Sequence, residues 1–545
     1  MEIIMTLNKI PEKFESNTEY RFDGDVSVEL CECVHLEEKI YRAMYYSAEK
    51  YWLDTAIFLK DVSNVTLDFG GATLYLRDDT IQPFVLDGCE NVTIKNVVVE
   101  YERSLMDEIE IVEIKDGEIW CKQTEKQKKY FPMKAEDGYL IPTAHGKEYR
   151  EALTEPHFFN LYNRDTQDCV GMCLVRIGGK LRVIPHEQFP FHYFDLYAEQ
   201  RGEFIVLKGE MPHGIRADVT CAQTHSARDL SSALIMRSMN VRLENFRVLN
   251  GGGMGILGMY SENITLDGLK MFYDERSHGI ATNAADAIHL ISCFGKVEIV
   301  NTVLESMKDD ALNIHGNYYT VESVEDGVIH AKIRTDIQKD PGVNAHFKMF
   351  DKGDVIAVYN QGTMLEKQRL TVEKIDVTGD FTADIYIDGE GADLSAFQLG
   401  DTIENLSIQA DLHIKNCRFG KANTHLRLQT RGKILIEDTE CALTLLMSGD
   451  KNYWYEASPV TDLTIRNCRL VGYRGYAYLV ANAEYTYVPE APFYHSGVKV
   501  INNVFDNANA LSLANVDGVL FEGNVTKSGE PFNNQLGNCR NVVVK

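Results

Sequence analysis

Three aspartates stand out by residue type and spacing. Asp286 lies in the run Asn283-Ala284-Ala285-Asp286-Ala287-Ile288-His289. Asp309 and Asp310 follow 23 and 24 residues later, in Lys308-Asp309-Asp310-Ala311-Leu312-Asn313-Ile314-His315-Gly316. Carboxyls brought together repel one another, which raises the pKa of at least one. A protonated carboxyl beside an ionised one is what general acid and base catalysis requires. The same oxygens would also suit a calcium ion, and an Asp-Asp pair at a turn is often only solvated. Asn313, His315 and His289 follow these aspartates at short spacing and are candidates to line the same pocket. His278 is a further candidate, although a lone histidine is more often structural.

This chemistry needs residues 23 or 24 apart to lie side by side, and a recurring phrase supplies the reason. NVTLDF starts at Asn64, NVTIKNV at Asn91, NVRLENF at Asn240 and NITLDGL at Asn263. KVEIVNT starts at Lys296, DLHIKNC at Asp411, KILIEDT at Lys433 and DLTIRNC at Asp462. Echoes follow in VKVINNVF from Val498, GVLFEGNV from Gly518 and a terminal NVVVK. Each phrase alternates apolar and polar residues, the period of a half-buried strand. Within unbroken stretches the intervals run from 22 to 33 residues, a solenoid or propeller spacing. No strong amphipathic helix fills the gaps, and there are only three tryptophans for a blade signature. The expectation is an all-β chain built as a right-handed parallel β-helix, its coils stacked at roughly 4.8 Å. One coil then separates Asp286 from the Asp309–Asp310 pair. Cys417, Cys441, Cys468 and Cys539 sit at repeat positions, which predicts small core thiols rather than redox or metal chemistry.

The phrase stops after Tyr101 and resumes near Ala233, then stops after Tyr319 and resumes near Asn405. Both gaps are rich in strands separated by Asp-Gly or Gly-Gly, a hairpin signal. They predict two inserted small β-barrel-like domains. The division is β-helix coils in 1–103, an insert in 104–232, and central coils with the site in 233–317. A second insert occupies 318–405 and final coils 406–545.

Composition narrows the partners. The 545 residues carry a formal charge of −26, which disfavours nucleic acid and anionic membranes. No run approaches the roughly 18 apolar residues of a membrane helix. The opening MEIIMTLNKIPEKFE lacks a cationic segment followed by an apolar run. As the sequence stands this predicts a cytoplasmic protein, or a secreted one if a leader has been trimmed. The pairs Cys31/Cys33 and Cys169/Cys173 lack the doubled spacing and histidines of a zinc site, so no metal is expected there, and acid/base catalysis by carboxylates needs no metal or organic cofactor. Gly251-Gly252-Gly253-Met254-Gly255 resembles a phosphate cradle only loosely, and tight coil turns explain it better. Arg427, on the next plain coil, and the loop Asn452-Tyr453-Trp454-Tyr455-Glu456 are expected to face the site. Trp454 is a candidate to stack on a sugar face.

The motif KDDALNIHG (Lys308 to Gly316), with Ala285-Asp286-Ala287 one coil earlier, resembles glycoside hydrolase family 110. So does a β-helix interrupted by two β-barrels. That family comprises inverting exo-α-1,3-galactosidases. The resemblance implies removal of terminal α-1,3-linked galactose from a neutral glycan, as in the blood group B antigen. It implies Asp286, Asp309 and Asp310 as the acid/base carboxylates. Family members are often secreted or surface-located, which the opening of this chain does not match. Polygalacturonases place aspartates on neighbouring coils in a related way, but no convincing Gly-His-Gly or Arg-x-Lys partner is found here. A non-catalytic glycan-binding scaffold is the alternative from another class. A homodimer is a further possibility, with the inserts as its contact.

Overall fold

The computed structural model describes residues 3–545 except 37–52, 105, 145–146, 149–156, 179–192, 225–229, 333–349, 380–381, 389–392, 423–424, 450, 452–453, 472–475, 484 and 490–492. The repeat phrases become successive rungs of one parallel sheet. Ser63–Asp68, Glu90–Tyr101, Met239–Val248, Glu262–Asp267, Phe294–Val300, Ala410–Lys415, Lys433–Glu437 and Asp462–Arg466 each pair with the next. A second parallel face runs through Ile81–Asp87, Ser231–Met236, Met254–Met259, Ile288–Ile291, Leu312–Glu325, His425–Gln429 and Thr444–Met447. This is a parallel β-helix.

The alternation read from the sequence sets which side chains fill it. Val65, Leu67, Val92, Ile94, Val241, Leu243, Ile264, Leu266, Val297 and Ile299 point inward and are buried. Cys417, Cys441 and Cys468 lie buried in the same core, while Cys539 is only partly buried against it. Among the described residues no helix is long and apolar enough to cross a membrane.

Asparagine does two things at the coil corners. Asn64, Asn91, Asn240 and Asn263 adopt φ of 57°, 55°, 55° and 56°, a left-handed conformation that asparagine tolerates. Their amides also form a ladder. Asn91 donates to Asn64 at 2.9 Å, Asn240 to Asn91 at 2.9 Å and Asn263 to Asn240 at 3.0 Å. The Asn91–Asn240 step crosses the whole first insert, so the coils close up as if it were not there.

The first insert is a closed barrel. Its strands run in the order Met106–Lys115, Glu118–Lys122, Phe204–Gly209, Tyr193–Arg201, Cys169–Ile177, His157–Asn163 and Val219–Thr224. The Asp-Gly hairpin between its first two strands forms as expected. The sequence around Gly178 differs. Cys169–Ile177 pairs in parallel with Tyr193–Arg201, and a parallel pair needs a long connection instead of a tight turn. The expected second arm, from residue 179, lies outside the described residues. The second insert closes through Leu312–Glu325, Val328–Lys332, Thr382–Ile387, Glu366–Val377, Val355–Tyr359 and Thr402–Asn405. Leu312–Glu325 belongs to both structures. Its first residues form a β-helix rung and its later ones a barrel wall.

Candidate active site

The rung Ile288–Ile291 lies beside Leu312–Glu325, with His289 next to Asn313 and Ile291 next to His315. The following coil sets Arg427 beside Asn313 and Gln429 beside His315. The same register puts Asp286 over Asp310. Ala287 N–H donates to the Asp310 carbonyl at 2.9 Å, and Asp310 N–H donates to Asp286 Oδ1 at 3.2 Å. Small neighbours permit this approach. Ala285, Ala287 and Ala311 are fully enclosed. Gly255 N–H donates to the Asp286 carbonyl at 2.8 Å, and a Cβ on Gly255 would meet the Ala287 carbonyl at 2.3 Å. Gly251 would likewise meet Asn283, and neither glycine has left-handed backbone. At these two positions glycine serves the close approach of coils and not the tight turns the sequence suggested.

One oxygen from each of Asp286, Asp309 and Asp310 lies within 4.8 Å of the others. Asp286 and Asp310 are buried and Asp309 is partly exposed. Asp310 is held as an acceptor on both oxygens. His425 N–H donates to Oδ1 at 2.9 Å and Arg427 Nε to Oδ2 at 3.1 Å. Arg427 reaches with its other end to Glu456 Oε2 at 3.2 Å, and Asn313 Nδ2 donates to Glu456 Oε1 at 3.1 Å. Burial works against the charge of Arg427, but Asp310, Glu456, Asp309 and Asp286 together raise its pKa. Burial would push the Glu456 carboxyl up, yet His315, Arg427 and His289 hold it below its usual range.

The two histidines lie between these carboxylates. His289 Nδ1 is 2.6 Å from Asp286 Oδ2, and its Nε2 is 2.9 Å from His315 Nε2. His315 Nδ1 is 2.7 Å from the Gly316 carbonyl, and its Nε2 is 3.9 Å from Glu456 Oε1. Burial pulls both imidazoles down to about 4, against the pull of the nearby carboxylates. Two sets could hold a cation, His289 with His315 and Glu456, and the aspartate trio. Arg427 touches a carboxylate of each set, so its guanidinium already supplies positive charge between them.

The structure therefore brings together Asp286, Asp309, Asp310, His289, Asn313, His315 and Arg427. Trp454 is half-buried two residues before Glu456, while Asn452 and Tyr453 lie outside the described residues. His278 belongs elsewhere. It is buried against Glu100 at 3.0 Å and stacked on Tyr130 at 3.5 Å. Sequence reasoning named Glu456 only as the end of the aromatic loop expected to face the site, with no role of its own, and did not select His425. Glu456 reaches the site on a two-residue strand, Glu456–Ala457, that pairs antiparallel with Gly316 and Asn317. That strand breaks the coil pattern, and the only signal was its place at the end of the aromatic loop.

No protein-family model matches the sequence. Curated relatives cover most of it. Alpha-1,3-galactosidase B of Bacteroides thetaiotaomicron is 24% identical over 531 residues, spanning 92% of this chain and 81% of that protein. Alpha-1,3-galactosidase A of Bacteroides fragilis is 23% identical over 519 residues, spanning 90% and 79%. The chain is a distant relative of these α-1,3-galactosidases. The resemblance carried by KDDALNIHG thus extends along nearly the whole sequence. Among solved structures, a polygalacturonase from Erwinia carotovora ssp. carotovora aligns over 99% of this chain and 96% of its own. That alignment has a TM-score of 0.35 and 10% identity.

Proposed function

We propose that this chain is a glycosidase that removes terminal α-1,3-linked galactose from a neutral glycan, by an exo-acting, inverting mechanism. The observation that carries the reading is the meeting of Asp286, Asp309 and Asp310 at one corner of adjacent coils. The named activity of the relatives that share nearly the whole chain supplies the substrate class.

One carboxyl protonates the glycosidic oxygen as another carboxylate takes a proton from the attacking water on the opposite sugar face. The enclosure of Asp286 and Asp310 suits the end of a glycan better than its middle. The site offers an uncharged sugar many acceptors, while Arg427 is already committed to Asp310 and Glu456. A polyanionic sugar would meet an excess of carboxylates, Asp286, Asp309, Asp310 and Glu456 against the one guanidinium of Arg427.

The test is a panel of α- and β-linked galactosides, followed by proton NMR of the fresh product. Free galactose from the α-1,3-linked members, appearing first as the β-anomer, is expected. Fresh α-anomer would refute inversion, and no release from any α-galactoside would refute the activity.

A further inference from the structure

The turn that delivers Asp309 and Asp310 is held from outside the β-helix. Asn160 and Tyr162 lie two residues apart on His157–Asn163, a strand of the first barrel, and so face the same way. Asn160 Nδ2 donates to the Lys308 carbonyl at 3.3 Å. The Tyr162 hydroxyl donates to the Ser306 carbonyl at 3.1 Å, with the Met307 carbonyl 3.4 Å away. Both barrel side chains are fully buried. The coils grip the same turn from within. Thr282 N–H donates to the Ser306 carbonyl at 3.1 Å, and Lys308 N–H donates to the Asn283 carbonyl at 3.0 Å.

The same barrel also reaches the coil of Asp286. Met106, Tyr162, Cys169 and Ala222 pack with Ile280, Ala281 and Ala284, and Glu108 accepts the Ala281 N–H at 2.8 Å. One closed barrel therefore touches both backbones that carry the carboxylates, at Ala284 two residues before Asp286 and at Lys308 one residue before Asp309. Packing alone does not account for Asn160. The Lys308 carbonyl only accepts, which turns the amide nitrogen toward it. Asn160 Oδ1 is then left buried with no hydrogen-bond partner among the described residues. An orphaned acceptor costs stability, and a leucine of similar shape would avoid it. The amide stands where its donor meets the backbone next to Asp309. Position matters there, because reacting groups held even about 1 Å out of place lose much of their rate.

We propose that Asn160 and Tyr162 are positioning residues of the active site. By holding the backbone carbonyls from Ser306 to Lys308 they set the Asp309–Asp310 pair against Asp286. Their part in turnover rests on the hydrolase reading above. The first barrel is then a working wall of the active site and not a domain attached beside it.

The full chain is compared with two variants. Asn160→Leu keeps the bulk of the side chain without its donor, and Tyr162→Phe removes only a hydroxyl. Lys126→Met is the control. Lys126 also donates from the first insert to a coil carbonyl, that of Glu275 at 3.2 Å, but eleven residues before Asp286. Backbone hydrogen exchange is read first, since it needs no substrate. The N–H groups of Lys308, Asp310 and Ala311 should exchange about tenfold faster in both barrel variants, with no change along the rung Glu262–Asp267. Unchanged exchange at the corner overturns the proposal. Each folded variant is then assayed on an α-1,3-linked galactose disaccharide, well below its melting temperature. In both barrel variants kcat should fall about ten- to a hundredfold with KM within about twofold of wild type, while Lys126→Met keeps the wild-type kcat. Wild-type kcat in both barrel variants, or an equal loss in Lys126→Met, would reduce Asn160 and Tyr162 to docking contacts. No release of galactose by the wild-type chain refutes the hydrolase reading instead, and the exchange rates alone then decide whether the barrel holds the corner.

Discussion

Asp286 and Asp310 lie one above the other on adjacent coils, tied by the Asp310 N–H donating to Asp286 Oδ1 at 3.2 Å. The contact runs from backbone to side chain, so it survives loss of either negative charge. Asp286→Asn, Asp309→Asn and Asp310→Asn should therefore fold and fail in turnover. Each is expected to lose about 100- to 10,000-fold in kcat on a disaccharide; Asp286→Asn and Asp309→Asn should melt close to wild type, while Asp310→Asn, whose amide nitrogen would face the His425 N–H or Arg427, should melt lower. Full activity in all three variants would remove the trio from the mechanism.

Arg427 is the shared cation of Asp310 and Glu456. Arg427→Met leaves two largely buried carboxylates facing each other. Removing one partner from such a cluster costs about 3–5 kcal/mol, to be read as a lower denaturation midpoint. Arg427→Lys should recover only part of this, because an ammonium cannot reach with two separate nitrogens. An unchanged midpoint for Arg427→Met would show that the guanidinium does not hold the corner together.

Glu108 joins the first barrel to the active coil. Its buried carboxylate accepts the Ala281 N–H at 2.8 Å, five residues before Asp286. Burial raises its pKa from 4.5 to about 7, against the hydrogen bonds it accepts. The folded state then binds this proton more tightly than the unfolded chain. Stability from this group is fully present below about 4.5 and is lost as pH rises to about 7, by up to about 3 kcal/mol. Glu108→Gln should flatten that fall when denaturation is compared at pH 5 and pH 7.5. A fall as steep as in wild type would place its source elsewhere.

Asn240 carries the corner ladder across the first insert, donating to Asn91 and accepting from Asn263. At φ 55° an alanine would add backbone strain to the lost amide contacts. Asn240→Ala should be less stable than Asn240→Gly by about 1 kcal/mol, since glycine takes this conformation freely. Calorimetry of the two variants gives the difference directly, and equal stability would show that the left-handed corner carries no strain.

The parts of the fold that repeat were legible. Phrases such as those at Asn240, Asn263 and Lys296 state the coil length, and that length carries Asp286 onto Asp310 without further information. Asn313, His315 and Arg427 follow from the same register. Glu456 did not, because it sits 143 residues after Asn313 and arrives on an antiparallel strand outside the coil period. The Asp286–His289–His315 contacts were hidden for another reason. Spacing places residues on a rung but does not say which ring nitrogen faces which neighbour. The parallel strand pair of the first barrel was missed because Gly178-Gly179 imitates the punctuation of a hairpin.

Leu312–Glu325 holds Asn313 and His315 at one end and forms the second barrel's wall at the other. With no turn between them, it is a rod welded at both ends. A push on the barrel is transmitted along the rod and is not absorbed by a hinge. The rung that carries His315 and the wall of the barrel therefore share one backbone, and the position of one is tied to the position of the other.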